Sequence, residues 1–220
     1  MRAADNPFAV HRVLRLRYRL DGAQWRSLLD SLERAGWRGS IVGSHGSGKT
    51  TLLEDLGDRL AQRGWHVIHV GFDSTHRRLP RANKWSSTDF VLVDGVEQLG
   101  SVDAIRLRWR ARHAGGFVVT SHDERWQPVI HRCRTSATLL SDIVSALGRE
   151  LTADDSRKLL HRHHGNVRDA LRELYDRAAA LPLTAEGRQA ILRLPSKAEG
   201  RPVIRDRAPC STSSRALSIS

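Results

Sequence analysis

The sequence predicts an α/β fold: a parallel sheet flanked by helices, followed by a small C-terminal unit of three helices. Three observations carry this reading. Residues 37–120 run in the order strand, helix, strand, strand, helix, strand. The segments Phe90–Val93 and Gly116–Thr120 are continuously apolar rather than alternating, as strands covered on both faces are. After residue 136 the strand runs stop and only helical periodicity remains. With 220 residues, 40% hydrophobic and 27% charged, the chain can bury a sizeable core. A disulfide-stapled miniprotein and a wholly disordered chain are thereby excluded.

In chain order, Leu14, Leu16, Tyr18 and Leu20 alternate with Arg15, Arg17 and Arg19. This predicts a half-buried strand over 13–20 with a charged outer face, at a sheet edge. Trp25, Leu28, Leu29 and Leu32 share one stripe of a helix over 25–35, which Gly36 stops. Trp37–Val42 reads as a strand, Lys49–Arg63 as a helix closed by Gly64, and Trp65–Phe72 as the next strand. Within 101–113, Ile105, Leu107 and Trp109 alternate with arginines, locally a strand pattern. Neighbouring parallel strands need a crossover, however, and Ser101 and Asp103 are good helix-start residues, so this stretch is read as a helix. Leu139–Leu147, Ala153–His163 and Asn166–Ala180 read as three helices punctuated by Gly148 and Gly165. The chain thus divides into an N-terminal strand–helix segment (1–36), a core (37–136), a helical lid (137–181) and a disordered basic tail (182–220) rich in Pro, Ser and Arg.

Thirty-six basic residues against 24 acidic ones give a net charge of +12. Residues 1–39 hold eight basic and four acidic residues, and 181–220 hold seven and three, so the ends are denser in positive charge than the middle. A nucleic-acid partner at the basic termini is therefore one reading, and an arginine-rich solvated surface the other. No apolar run approaches the ~20 residues that span a bilayer, and Met1–Val10 has no apolar signal region. Cys133 and Cys210 have no metal or redox spacing. A reduced, cytoplasmic setting without membrane contact is expected.

The strongest chemical signal is Gly43-Ser44-His45-Gly46-Ser47-Gly48-Lys49-Thr50, a match to G-x-x-x-x-G-K-[ST] lying between a predicted strand and a predicted helix. Glycines let successive N–H groups face phosphate oxygens, and the helix start adds the positive end of its dipole. Lys49 would reach the β- and γ-phosphates, the Thr50 hydroxyl would ligate Mg²⁺, and Thr51 belongs to the same nucleotide-binding turn. The motif identifies a P-loop NTPase, with ATP and Mg²⁺ as the expected ligands. No guanine-specificity tetrad such as Asn-Lys-x-Asp is present. Phe90-Val91-Leu92-Val93-Asp94 is an apolar strand ending in a carboxylate, the form of a Walker B segment, and Asp94 would hold Mg²⁺ through its water shell.

This arrangement resembles the AAA+ ATPases over residues 37–180. The resemblance implies a glutamate after the Walker B aspartate to orient the attacking water. Here that residue is Gly95, and Glu97 is the nearby replacement. It implies a sensor-1 group at the end of the next strand, for which Thr120, Ser121 and His122 are candidates; His122 also resembles the switch histidine of ABC-type ATPases. His131-Arg132-Cys133 is similar to the Ser-Arg-Cys motif of AAA+ clamp loaders. By that likeness Arg132, with Arg134 as substitute, would act on the nucleotide of a neighbouring subunit in a homo-oligomer. Gly165-Asn166-Val167-Arg168 looks like the start of a sensor-2 helix, which implies Arg168 over the phosphates. His161, His163 and His164 have no third ligand at a fixed spacing and read as a basic helix end.

The expected function is ATP-driven conformational change imposed on an unnamed partner. Two rivals remain at this stage. A small-molecule kinase would use Asp73 near an acceptor and Arg77, Arg78 and Arg81 as a phosphate clamp. A nucleotide-binding switch with little hydrolysis would be consistent with Gly95.

Overall fold

A computed structural model describes residues 6–13, 16–79 and 84–180. The elements are α1 (Val10–Val13), α2 (Gly22–Arg34), β1 (Arg38–Gly43), α3 (Lys49–Gln62), β2 (His66–Gly71) and β3 (Asp89–Asp94). There follow a 3₁₀ turn (Val96–Gln98), α4 (Ser101–Ala111), β4 (Gly116–Ser121), β5 (Val129–Cys133), α5 (Ala137–Ala146), α6 (Ala153–Arg162) and α7 (Val167–Ala180). The strands form one sheet in the order β2-β3-β4-β1-β5, and every pairing is parallel. Helices on both faces complete a P-loop-type α/β fold with a three-helix unit at its C-terminal end. No helix among the described residues is long and apolar enough to cross a membrane.

One face of the sheet packs α2 and α3, through Trp25, Leu28, Leu29 and Leu32 on α2 and Leu52, Leu56 and Leu60 on α3, against Ile41, Phe90 and Val118. The other face packs Leu107 and Ala111 of α4 against Val91, Val93, Phe117 and Val119. Central β3 and β4 are buried almost throughout, as their continuous apolar runs require. Edge strand β2 is different: His66, His69 and Gly71 are exposed, and Val67, Ile68 and Val70 are half-buried. The β2–β3 connection carries no helix among its described residues, and Phe72, Leu79 and Trp85 cover the sheet there instead. Helix α2 begins three residues before the predicted Trp25. Asp21 and Gln24 form a capping box, with Gln24 N donating to Asp21 Oδ1 at 2.8 Å and Asp21 N to Gln24 Oε1 at 3.0 Å.

Two expectations are corrected. The edge strand over 13–20 does not form: the described residues 16–20 are irregular, and Leu14 and Arg15 lie outside the described residues. The cause is a rival partner for this backbone. Tyr18 N donates to Asp55 Oδ2 at 2.6 Å, and Arg17 reaches Asp55 and Asp58 on α3 at 2.6 and 2.5 Å, so the segment is held by carboxylates rather than by a strand. Conversely, Val129–Cys133 is an edge strand beside β1 that was not expected as one. The basic tail over 182–220 lies outside the described residues.

The C-terminal helices enclose their own cluster of Leu140, Val144, Leu159, Val167, Leu171 and Leu174, into which Phe8 of the N-terminal segment also packs. Asn6 Nδ2 donates to Tyr175 O at 2.9 Å, and Arg19 pairs with Asp142 of α5 at 3.0 Å. Residues 6–13 and 16–20 therefore tie α3 to the C-terminal helices.

Leu56 is fully buried between α3 and the sheet. Leu56→Ala is expected to cost about 2–5 kcal/mol of unfolding free energy, read from urea unfolding. A second expectation concerns pH. His131 on β5 sits edge-on to the Tyr18 ring, centroids 5.7 Å apart, and burial holds its imidazole below its ordinary value of 6.5. The unfolded chain thus takes up this proton first as pH falls. The contribution to stability is present above pH 6.5 and is lost as pH falls from there toward the lower folded value. The urea midpoint should drop between pH 7.5 and 5.5, and His131→Gln should make that drop shallower.

Candidate functional site

The site lies at the C-terminal ends of β1, β3 and β4, where open parallel sheets place their ligands. After β1 the loop Gly43–Gly48 turns into α3. Gly48, the N-cap, has a left-handed φ of 89° and provides no side-chain cap, so the first N–H groups of α3 are left for another acceptor. Gly46 has φ 68°, and a Cβ on it would collide with Asn166 Oδ1 at the start of α7. Only glycine allows this close approach between loop and helix. Lys49 Nζ donates to the carbonyls of Gly43 and Ser44 at 2.8 and 2.9 Å. Burial holds its ammonium below the usual lysine value, against the opposing charges of Glu97 and Asp94, and nearby Arg168 adds to the depression. Ser47 is buried, and its Oγ has no hydrogen-bond partner.

Asp94, the last residue of β3, joins three elements. Its Oδ2 accepts from the Thr50 hydroxyl of α3 at 2.8 Å, and its Oδ1 from the Thr120 hydroxyl of β4. Thr120 Oγ1 in turn accepts from Gly95 N at 2.9 Å. Gly95 has φ 74°, and a Cβ there would collide with the Phe72 carbonyl. This turn feeds the Val96–Gln98 3₁₀ segment, which brings Glu97 Oε1 to 3.0 Å from His122 Nε2. The His122 ring lies 3.9 Å, centroid to centroid, from that of His45 in the loop. Burial and then the Lys49 charge push the His122 imidazole below its ordinary value, while Glu97 opposes them.

Of the sequence candidates, Gly43 through Thr50, Asp94, Glu97 and His122 converge on one site. Thr51 follows on the first turn of α3 and is half-buried. Among the three strand-end candidates, Thr120 is fully buried and engaged with Asp94, and Ser121 Oγ accepts from Asp123 N at 3.1 Å. His122 alone stands between the loop and Glu97. Arg168 is at the start of α7, its N–H capped by Asn166 Oδ1 at 3.1 Å. Arg132 pairs with Glu124 at a cavity of about 500 Å³ shared with Gly43, Ser44, His122 and Arg134. Asp73 of the kinase reading is engaged locally: its Oδ1 accepts from the N–H groups of Thr75 and His76, each at 2.7 Å. Arg77 and Arg78 are exposed, and Arg81 lies outside the described residues.

Two contacts were not foreseen. Tyr18 places its ring against Gly48, and its hydroxyl is 3.3 Å from His131 Nε2; burial raises its pKa. No sequence signal marks it, because Tyr18 fits an alternating strand equally well. The meeting of Asn166 with Gly46 is likewise visible only in three dimensions.

A magnesium nucleotide fits this chemistry. The Thr50 hydroxyl and Asp94 carboxylate are paired oxygen donors of the kind a hard dication takes, and the orphan Ser47 hydroxyl with the uncapped α3 start suits phosphate. Among the described residues no group of three or more His, Cys, Asp or Glu converges on a metal position. A cation here would complete its shell with water and ligand oxygens.

No protein-family model matches the chain, and no curated protein matches it in sequence. Among solved structures it is similar to NtrX from Brucella abortus, crystallised in complex with ATP, with a TM-score of 0.50 and 12% sequence identity. The match covers 85% of this chain and 58% of that one, so this chain spans less than two thirds of NtrX. At that identity the likeness is one of fold: a parallel α/β sheet shared with a protein that binds ATP.

Proposed function

We propose that the chain is a Mg²⁺-dependent ATPase of the AAA+ type, coupling ATP binding and hydrolysis to conformational change on a cytoplasmic partner. Residues 37–136 form its nucleotide-binding core and 137–181 its lid. The observation that carries this reading is the network Thr50–Asp94–Thr120, with Glu97 and His122 facing each other beside the Gly43–Gly48 loop. Loop N–H groups and the α3 start bind the phosphates, and Lys49 exchanges its two carbonyl partners for phosphate oxygens. Thr50, and Asp94 through water, would hold Mg²⁺, which would supply positive charge to the β- and γ-phosphates.

Glu97 takes the part that the resemblance assigns to residue 95. A glutamate at 95 would need a left-handed φ and would meet the Phe72 carbonyl, so the turn displaces the carboxylate by two positions. Glu97 orients the water that attacks the γ-phosphorus as the bond to the bridging oxygen breaks, and His122 fixes the rotamer of Glu97 through the 3.0 Å contact. Arg168, from the lid, adds positive charge over the phosphates. In a homo-oligomer Arg132 would leave Glu124 and reach a neighbour's nucleotide. The basic termini would give nucleic acid a binding surface.

Product analysis with γ-labelled ATP tests the reading: free phosphate is expected, whereas a phosphorylated acceptor or no product would replace it with a kinase or a non-hydrolysing switch. Lys49→Ala should lose nucleotide binding in a folded protein. Glu97→Gln should keep ATP binding and lower turnover by about 10² or more, the usual scale for a general base. Gly95→Glu should not raise turnover. It should lower stability by roughly 1–3 kcal/mol, the scale of enforced backbone strain, measured by urea unfolding.

A further inference from the structure

Helix α4 is apolar on two opposite faces. Leu107 and Ala111 point into the sheet and are buried. Val102, Ile105 and Trp109 point outward and are 64%, 67% and 62% exposed. Their spacing, i, i+3 and i+7, sets them in one line along the helix. Among the described residues only one other large hydrophobic side chain, Val10, is comparably exposed. A helix that needed only to cover the sheet would carry polar residues on this side. The Trp109 indole is held edge-on by His113, centroids 5.6 Å apart, so the ridge ends in an ordered aromatic group of the kind that anchors interfaces.

Charge selects what lies on it. On the helical wheel Arg106 and Arg112 flank the ridge on either side, and both are exposed; Arg106 also makes a 3.3 Å pair with Asp103 one turn back, which an acidic partner would share. A second copy of this face would bring arginine against arginine, and the chain as a whole is at +12. Its own residues 181–220 hold seven basic and three acidic residues and carry the same sign. Nucleic acid would match the charge but not the ridge, since Val102 and Ile105 cannot stack on bases. Arg108 and Arg110 are moreover turned onto the rings of Trp126 and Trp85, at 4.5 and 4.6 Å. We propose that the outward face of α4 docks an amphipathic helix of a partner protein, with apolar residues facing Val102, Ile105 and Trp109 and acidic residues facing Arg106 and Arg112. This surface is independent of the nucleotide reading.

The test uses the full chain and three fluorescently labelled synthetic peptides, each about five helical turns long. One carries a leucine ridge flanked by glutamates, the second the same ridge flanked by lysines, and the third a scramble of the first. Anisotropy should show saturable binding of the glutamate peptide, with the other two weaker by about tenfold or more. Ile105→Asp and Trp109→Asp should each weaken the glutamate peptide about tenfold or more, and the double variant Arg106→Glu, Arg112→Glu should do the same. Because all four side chains are exposed, the urea midpoints should match the parent. Equal binding of the three peptides, no binding of any, or affinity unchanged by these substitutions overturns the proposal. So does self-association, or binding of a single-stranded oligonucleotide, that Ile105→Asp and Trp109→Asp abolish.

Discussion

The Asp94 carboxylate, shared between the hydroxyls of Thr50 and Thr120, is the contact from which the rest of the site takes its position. It ties the first turn of α3 to the end of β3 and the end of β4, three elements that are distant in sequence. A carboxylate at the end of a buried strand has few ways to satisfy its oxygens. Two hydroxyls, each on a rigid element, satisfy them here without neutralising the charge. The hydroxyl of Thr120 passes the constraint on to Gly95.

Gly95 turns that constraint into a change of direction. Left-handed backbone, with the Phe72 carbonyl where a side chain would begin, sends the chain into the short 3₁₀ segment and presents Glu97 to His122. A side chain at position 95 therefore meets a steric bar, and the nearest carboxylate, that of Glu97, follows on the next turn. Helix α4 starts at Ser101, so one stretch of chain carries both the Gly95–Glu97 turn and the outward ridge of Val102, Ile105 and Trp109.

The described parts of the N-terminal segment, residues 6–13 and 16–20, hold the C-terminal helices against the loop. Arg17 is anchored to α3 and Arg19 to α5, while Phe8 fills the helical cluster and Tyr18 lies on Gly48. The ion pairs are partly solvent-exposed and contribute modestly on their own. Their effect is to fix where the Tyr18 ring and the Asn166 cap meet the Gly43–Gly48 loop.

Much of the fold was legible because its signals are local. The glycine-rich loop, the apolar runs of β3 and β4, the α2 stripe and the three C-terminal helices each depend on residues within a few turns of one another, and period and caps report them directly. The loop motif, Asp94 and Glu97 were legible for the same reason. What the sequence could not decide were choices between partners far apart in the chain. Residues 16–20 alternate like a strand, but the Asp55 and Asp58 carboxylates claim them first. Val129–Cys133 becomes a strand because β1 has an open edge. Thr120, Ser121 and His122 look equivalent at a strand end; the pleat and the position of Asp94 turn Thr120 inward and leave His122 to meet Glu97. Composition and periodicity determined the elements and the glycine-rich loop, and tertiary contact decided which hydroxyl, ring and carboxylate stand at it, because the partner each side chain meets comes from a distant part of the chain.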